Sequence, residues 1–279
     1  MNDGATHSRK LIAVIWIAAW VGMVIGSLPA YARSTQPSLL VIDTANGRAL
    51  QARQPDLRRY PASLTKMMTL YLLFEALDRK KIKLTSPMRA SRHAAAQPPT
   101  SLGLTPGDTI RVDDAIRALV TKSANDVAAV VGEALAGTES RFASRMTAKA
   151  RALGMRNTVF ANASGLPHPS HRTTARDMAT LAKALLRDFP HRYHYFATRR
   201  FVYRGAIHTN HNRLLGHYQG LDGMKTGFTR DSGYNLVASA RRNGHRLVGV
   251  ALGCQSAQAR NELVARALDA GFESLAEGR

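Results

Sequence analysis

Apolar positions along the chain repeat with a period of two, then about 3.6, then two again, and finally 3.6. Leu39-Leu40-Val41-Ile42-Asp43 reads as a strand and Ala45-Asn46-Gly47-Arg48 as a turn, because Asn-Gly accepts positive φ; residues 49–52 then return as a hairpin partner. Met67, Leu70, Tyr71, Phe74 and Leu77 fall at helical spacing within 66–80. Further helices are predicted over 115–120, led in by Val112-Asp113-Asp114, over 124–136, stopped by Gly137, over 141–153, ended by Gly154, and over 175–186, before Pro190. Strands follow at 200–203, 223–228, 234–241 and 246–252, the last two joined through Arg242-Asn243-Gly244-His245, and a helix over 258–270 closes the pattern. This order predicts an α+β fold: an antiparallel sheet built from both ends of the chain, with a helical insert between.

Ahead of this pattern, Arg9 and Lys10 precede the apolar run Leu11 to Gly26, followed by Pro29 and Ala30-Tyr31-Ala32. A basic flank, an apolar core and an A-x-A site make a secretory signal peptide over 1–32, cleaved after Ala32. The alternative is an uncleaved anchor, although the run is short for a span of roughly 20 residues. Either reading exports residues 33–279 to the periplasm or the extracellular cell wall, and no later segment is apolar enough to span a membrane.

Composition narrows the partners. The chain has 279 residues, 45% hydrophobic and 21% charged, which excludes wholesale disorder and fibrous classes. Lys and Arg outnumber Asp and Glu by 39 to 19, giving a net charge of +20 that will attract polyanions in a salt-dependent way. Export argues against nucleic acid and turns that expectation to anionic envelope polymers. The single Cys254 lies in the apolar run 247–254, so it reads as a buried structural thiol and excludes an internal disulfide.

Three short motifs carry chemistry. Ser63-Leu64-Thr65-Lys66 stands where the first helix begins, so Ser63 and Lys66 share a face. A serine hydroxyl needs a base beside it to become a nucleophile. A lysine supplies one only if burial and neighbouring positive charge lower its pKa. Ser63 could equally be a helix cap. Ser123-Ala124-Asn125 lies between two predicted helices: either residue suits a cap, or the hydroxyl relays a proton and the amide holds a substrate carbonyl. Lys225-Thr226-Gly227 sits in a predicted strand, where it is an exposed polar strand or a cation and hydroxyl for a substrate carboxylate. In the second case Gly227 lets ligand backbone lie close.

The three motifs, each present once and in this order, resemble the D-alanyl-D-alanine carboxypeptidases, the low-molecular-weight penicillin-binding proteins. The surroundings are similar too: Tyr60-Pro61-Ala62 before Ser63, Lys122 and Asp126 around the second motif, Asn162-Ala163-Ser164-Gly165-Leu166-Pro167 and Thr173-Thr174-Ala175-Arg176-Asp177-Met178-Ala179, Asn210-His211-Asn212-Arg213-Leu214-Leu215, and Gly233-Tyr234-Asn235-Leu236-Val237-Ala238. The resemblance implies an antiparallel sheet flanked by helices with a helical subdomain across a cleft, as in β-lactamases and D,D-peptidases. It implies Ser63 as nucleophile, Lys66 as its base and Ser123 as proton relay. Asn125 would hold the acyl-side amide, Lys225 and Thr226 the terminal carboxylate, and the backbone N–H groups of Ser63 and Phe228 the oxyanion. The implied substrates are peptidoglycan stem peptides, with β-lactams as covalent inhibitors and no cofactor.

Two departures follow. The chain ends at Arg279 soon after the last predicted helix, so the C-terminal β-domain and anchor helix of many relatives are expected to be absent. Residues 162–174 hold no Glu or Asp, so efficient β-lactamase activity is not expected. The rival readings are a D,D-endopeptidase cutting cross-links with the same motifs, and a non-catalytic basic protein binding the envelope. A zinc peptidase is disfavoured, because His168/His171, His191/His194 and His208/His211 are spaced i, i+3 rather than i, i+4 on a helix. The basic-aromatic stretch 193–204 reads as a strand edge with a solvated basic face.

Overall fold

The computed structural model describes Met1 and residues 36–278; the expected signal peptide lies outside the described residues. Strands β1 (Ser38–Asp43) and β2 (Ala49–Arg53) form the first hairpin. A 3-10 turn, Ala62–Thr65, runs into helix α1 (Lys66–Asp78). The insert contains β3 (Pro87–Arg89), α2 (Arg92–Ala95), β4 (Thr109–Arg111), α3 (Val112–Val120), α4 (Asn125–Ala136), α5 (Glu139–Ala152) and α6 (Ala175–Asp188). A second 3-10 turn, Tyr193–Ala197, precedes β5 (Arg200–Tyr203) and β6 (Ala206–Thr209). Strands β7 (Leu221–Thr229), β8 (Gly233–Arg242) and β9 (His245–Cys254) and helix α7 (Ala257–Ala276) complete the chain.

The main sheet runs β2-β1-β9-β8-β7, antiparallel throughout, so both ends of the chain build it as expected. Its faces bury two cores. Leu40, Ile42, Val248 and Val250 join the helical insert, while Leu39, Val41, Leu247 and Ala251 meet Val264 and Leu268 of α7. Strict side-chain alternation on a sheet covered on both faces explains why β1 and β9 read as unbroken apolar runs. Helix α1 has ten of its thirteen residues buried, the mark of a central helix rather than an amphipathic one.

Two expectations need correction. Residues 200–203 do form a strand, but it pairs only with β6, in a separate two-stranded sheet. The aromatic part of 193–204 is not a strand edge: Tyr193, Tyr195 and Phe196 are buried in a 3-10 turn. No helix of the described residues is long and apolar enough to cross a membrane.

Candidate active site

Ser63 lies within the 3-10 turn and Lys66 opens α1, so the two side chains meet across one turn. Lys66 is fully buried, and its Nζ stands 3.2 Å from Ser63 Oγ. The same nitrogen donates to Asn125 Oδ1 and to the Ser164 carbonyl, each at 2.7 Å. A neutral amine has two hydrogens, and these acceptors take both, so its lone pair is left facing the Ser63 hydroxyl. Burial, and then the charge of Lys225, hold Lys66 well below the ordinary lysine pKa. These are the two causes that a lysine base requires.

The turn is held from three sides. Asn235 Nδ2 donates to the Tyr60 and Pro61 carbonyls at 3.0 and 3.2 Å, while its Oδ1 accepts from Gly253 N at 2.8 Å. Thr65 Oγ1 pairs with His171 Nε2 at 2.9 Å, and burial lowers that imidazole to about 4, so it is neutral at neutral pH. Gly165, at φ +91°, packs so closely that a Cβ there would stand 1.8 Å from the Ala62 carbonyl oxygen. Ala62 itself is held at φ +48°, an uncommon conformation for a residue with a side chain.

Neither residue of the second motif caps a helix through its side chain. The N-cap of α4 is Ala124, which has no side-chain bond, and Asn125 is the first helical residue. Ser123 adopts φ +60°, and its buried Oγ has no hydrogen-bond partner in the described structure. Thr100 fixes this corner: its Oγ1 donates to the Ser123 carbonyl and its own carbonyl accepts from Asn125 N. Asp126 gathers the N–H groups of Leu102, Gly103 and Leu104, closing the loop that forms this wall.

The third motif lies on β7, as expected, but its members divide. Thr226, Gly227 and Phe228 line a cavity of about 480 Å³ together with Ser63, Ser123 and Asn125. Lys225 is not among the lining residues; it is buried, and its Nζ donates to the Thr226 carbonyl at 2.9 Å. Alternation places it on the face of β7 shared with Gly227. That face packs on the nucleophile turn: a Cβ at Gly227 would stand 3.0 Å from the Pro61 carbonyl oxygen and 3.1 Å from Ser63 N. Gly227 therefore makes room for this chain's own turn. Burial and the charge of Arg260 lower Lys225 to about 7.

Arg260 and Arg213 also line the cavity, and no lining residue is Asp or Glu. Arg260 lies on α7, remote from all three motifs, and nothing in its local sequence marks it. Arg213 sits in a segment noted only for its similarity to relatives. Among the described residues no group of His, Cys, Asp and Glu side chains could hold a metal ion. Cys254 is buried, and burial pushes its thiol up to about 11.

This arrangement of an antiparallel sheet and a helical subdomain recurs in solved structures. It aligns with the D-alanyl-D-alanine carboxypeptidase DacD from Francisella tularensis at TM-score 0.82 and 28% identity, covering 84% of this chain and 69% of that one. It aligns with penicillin binding protein 5 from Haemophilus influenzae at 0.81 and 33%, covering 85% and 70%. With penicillin-binding protein D2 from Listeria monocytogenes, in an ampicillin-bound form, the values are 0.78 and 32%, covering 84% and 96%. The D-alanyl-D-alanine carboxypeptidase family pattern matches residues 29–256, and the chain belongs to that family. Among curated relatives, DacF of Bacillus subtilis is 35% identical over 84% of this chain and DacC of Escherichia coli 37% identical over 84%. The alignments take in 61% and 60% of those proteins, so the chain spans about three fifths of their length.

Proposed function

We propose that this protein is an exported serine D,D-carboxypeptidase that removes the terminal D-Ala from peptidoglycan stem peptides through a Ser63 acyl-enzyme. The observation that carries this reading is the buried Lys66 amine, 3.2 Å from Ser63 Oγ and 2.7 Å from both Asn125 Oδ1 and the Ser164 carbonyl. Lys66 accepts the Ser63 proton as Oγ attacks the carbonyl of the D-Ala-D-Ala bond. The backbone N–H groups of Ser63 and Phe228 hold the developing oxyanion. Ser123, whose hydroxyl has no other partner in the described structure, passes the proton to the departing D-Ala amine. Water then hydrolyses the ester, with Lys66 again as base.

Asn125 Nδ2 carries two hydrogens and gives one to the Pro98 carbonyl at 2.8 Å, which leaves the other for the acyl-side amide. The substrate carboxylate meets the Thr226 hydroxyl and Arg260, while Lys225, on the face of β7 that packs on the nucleophile turn, adds its charge beside Lys66. β-Lactams would enter the same cavity. Residues 1–32 would direct export, and the similarity to penicillin-binding proteins supports a cell-wall setting. Anionic envelope polymers remain candidate partners for the basic surface.

The test is incubation with a pentapeptide ending in D-Ala-D-Ala beside a cross-linked muropeptide. Faster D-Ala release from the pentapeptide supports the carboxypeptidase reading. Preferential cleavage of the cross-link overturns it in favour of the endopeptidase, and no cleavage of either favours a non-catalytic envelope protein.

A further inference from the structure

The β5–β6 hairpin carries side chains that the catalytic reading does not use. It pairs Arg200 with Thr209 and Val202 with Ile207 on one face, and Phe201 with His208 on the other. Phe201 is buried in the helical core, so the first face points to solvent. Val202 and Ile207 are 61% and 67% exposed. Apart from Met1, the other exposed large apolar side chains among the described residues are Tyr60 and Phe228. Both line the catalytic cavity or the one beside it. The apolar pair on the hairpin has no such role.

At the base of this face a cavity of about 270 Å³ is lined by Arg199, Arg200, Thr209, Arg213 and His217, and no Asp or Glu lines it. An apolar pair beside clustered arginines suits a bilayer interface: the apolar side chains enter the acyl boundary and the guanidinium groups meet lipid phosphates. A soluble polyanion would engage the arginines but would leave Val202 and Ile207 in water, so the pair favours the bilayer. We infer that the β5–β6 hairpin docks on an anionic phospholipid bilayer, with the arginine-lined cavity receiving a lipid phosphate and Val202 and Ile207 entering the interface. Arg213 lines both this cavity and the catalytic one, so docking sets the cleft beside the membrane surface.

The test uses the full chain with Val202→Cys carrying an environment-sensitive nitrobenzoxadiazole label; the native Cys254 is buried. Vesicles of phosphatidylglycerol and phosphatidylcholine should raise label emission, and lipid-borne doxyl groups should quench it. Phosphatidylcholine alone should leave emission unchanged, even where other parts of the chain hold the protein to the vesicle. Arg199→Gln with Arg200→Gln, at unchanged Tm, should weaken the response about 30-fold. No change with anionic vesicles overturns the inference. An equal change with soluble polyphosphate also overturns it, by making this a polyanion site. Neither result bears on Ser63 chemistry, so failure here is separable from failure of the proposed function.

Discussion

The α7 face of the sheet and the nucleophile turn are both almost free of solvent, but burial serves them in opposite ways. Between sheet and helix lie Leu39, Val41, Leu247, Val264 and Leu268, all apolar and each gaining from removal of water. Around the turn lie two buried lysines, an unpartnered serine hydroxyl, and Ala62 and Ser123 at positive φ. Each of these costs folding free energy. The contrast teaches that the apolar layer holds the protein together, while the turn spends part of that stability to hold Lys66 well below the ordinary lysine pKa beside Ser63.

The largest effect should come from removing the base. Lys66→Ala should slow acylation by penicillin about 10²- to 10⁴-fold, while Tm, read by calorimetry, should hold or rise because a buried amine is gone. A large fall in Tm with unchanged acylation would erase the contrast. Leu268→Ala tests the other region. It should cost about 2–5 kcal/mol in denaturant unfolding, with the acylation rate of the folded fraction unchanged.

Lys225→Met should affect both properties. Lys225 titrates near 7 in the fold and near 10.5 when unfolded, so the unfolded chain binds more protons between those values. Its burial penalty is therefore largest at and below pH 7 and fades as pH rises to about 10.5. Lys225→Met should stabilise the protein by roughly 2–4 kcal/mol at neutral pH and flatten that slope. Losing the positive charge should also raise the Lys66 pKa. Since acylation needs neutral Lys66, the acid limb of its pH profile should move to higher pH. A rise in KM at every pH, with the limb unmoved, would instead make Lys225 a direct substrate contact. The smallest effect is expected from Thr65→Val, which leaves His171 Nε2 without its partner. It should cost about 1–3 kcal/mol and slow acylation only modestly.

The apolar layer was legible in the sequence because alternation and helical spacing report burial directly. Strands β1, β8 and β9 and helices α1 and α6 therefore emerged within a few residues of their ends. Strands β3, β4 and β6 did not, because three or four residues with polar neighbours show no period. Within the site, Ser63, Lys66, Ser123, Asn125 and Thr226 converge as their motifs implied. Lys225 shares the face of Gly227 and is buried beside Lys66 without lining the cavity, a depth that a strand motif does not record. Arg260 and Asn235 were not assigned roles, because packing between α7, β8 and the turn brings them to the site, and no local pattern records that.

Intact-mass spectrometry after incubation with penicillin tests the serine–lysine pair most directly. The account predicts one adduct per chain, mapped to the peptide containing Ser63 and absent in Ser63→Ala. The adduct should persist, because the former leaving amine stays tethered to the acyl group and blocks the approach of water to Lys66, and no carboxylate lines the cavity to activate water from another side. A folded protein that takes no adduct, or takes it at another residue, would contradict the assignment of Ser63 as nucleophile.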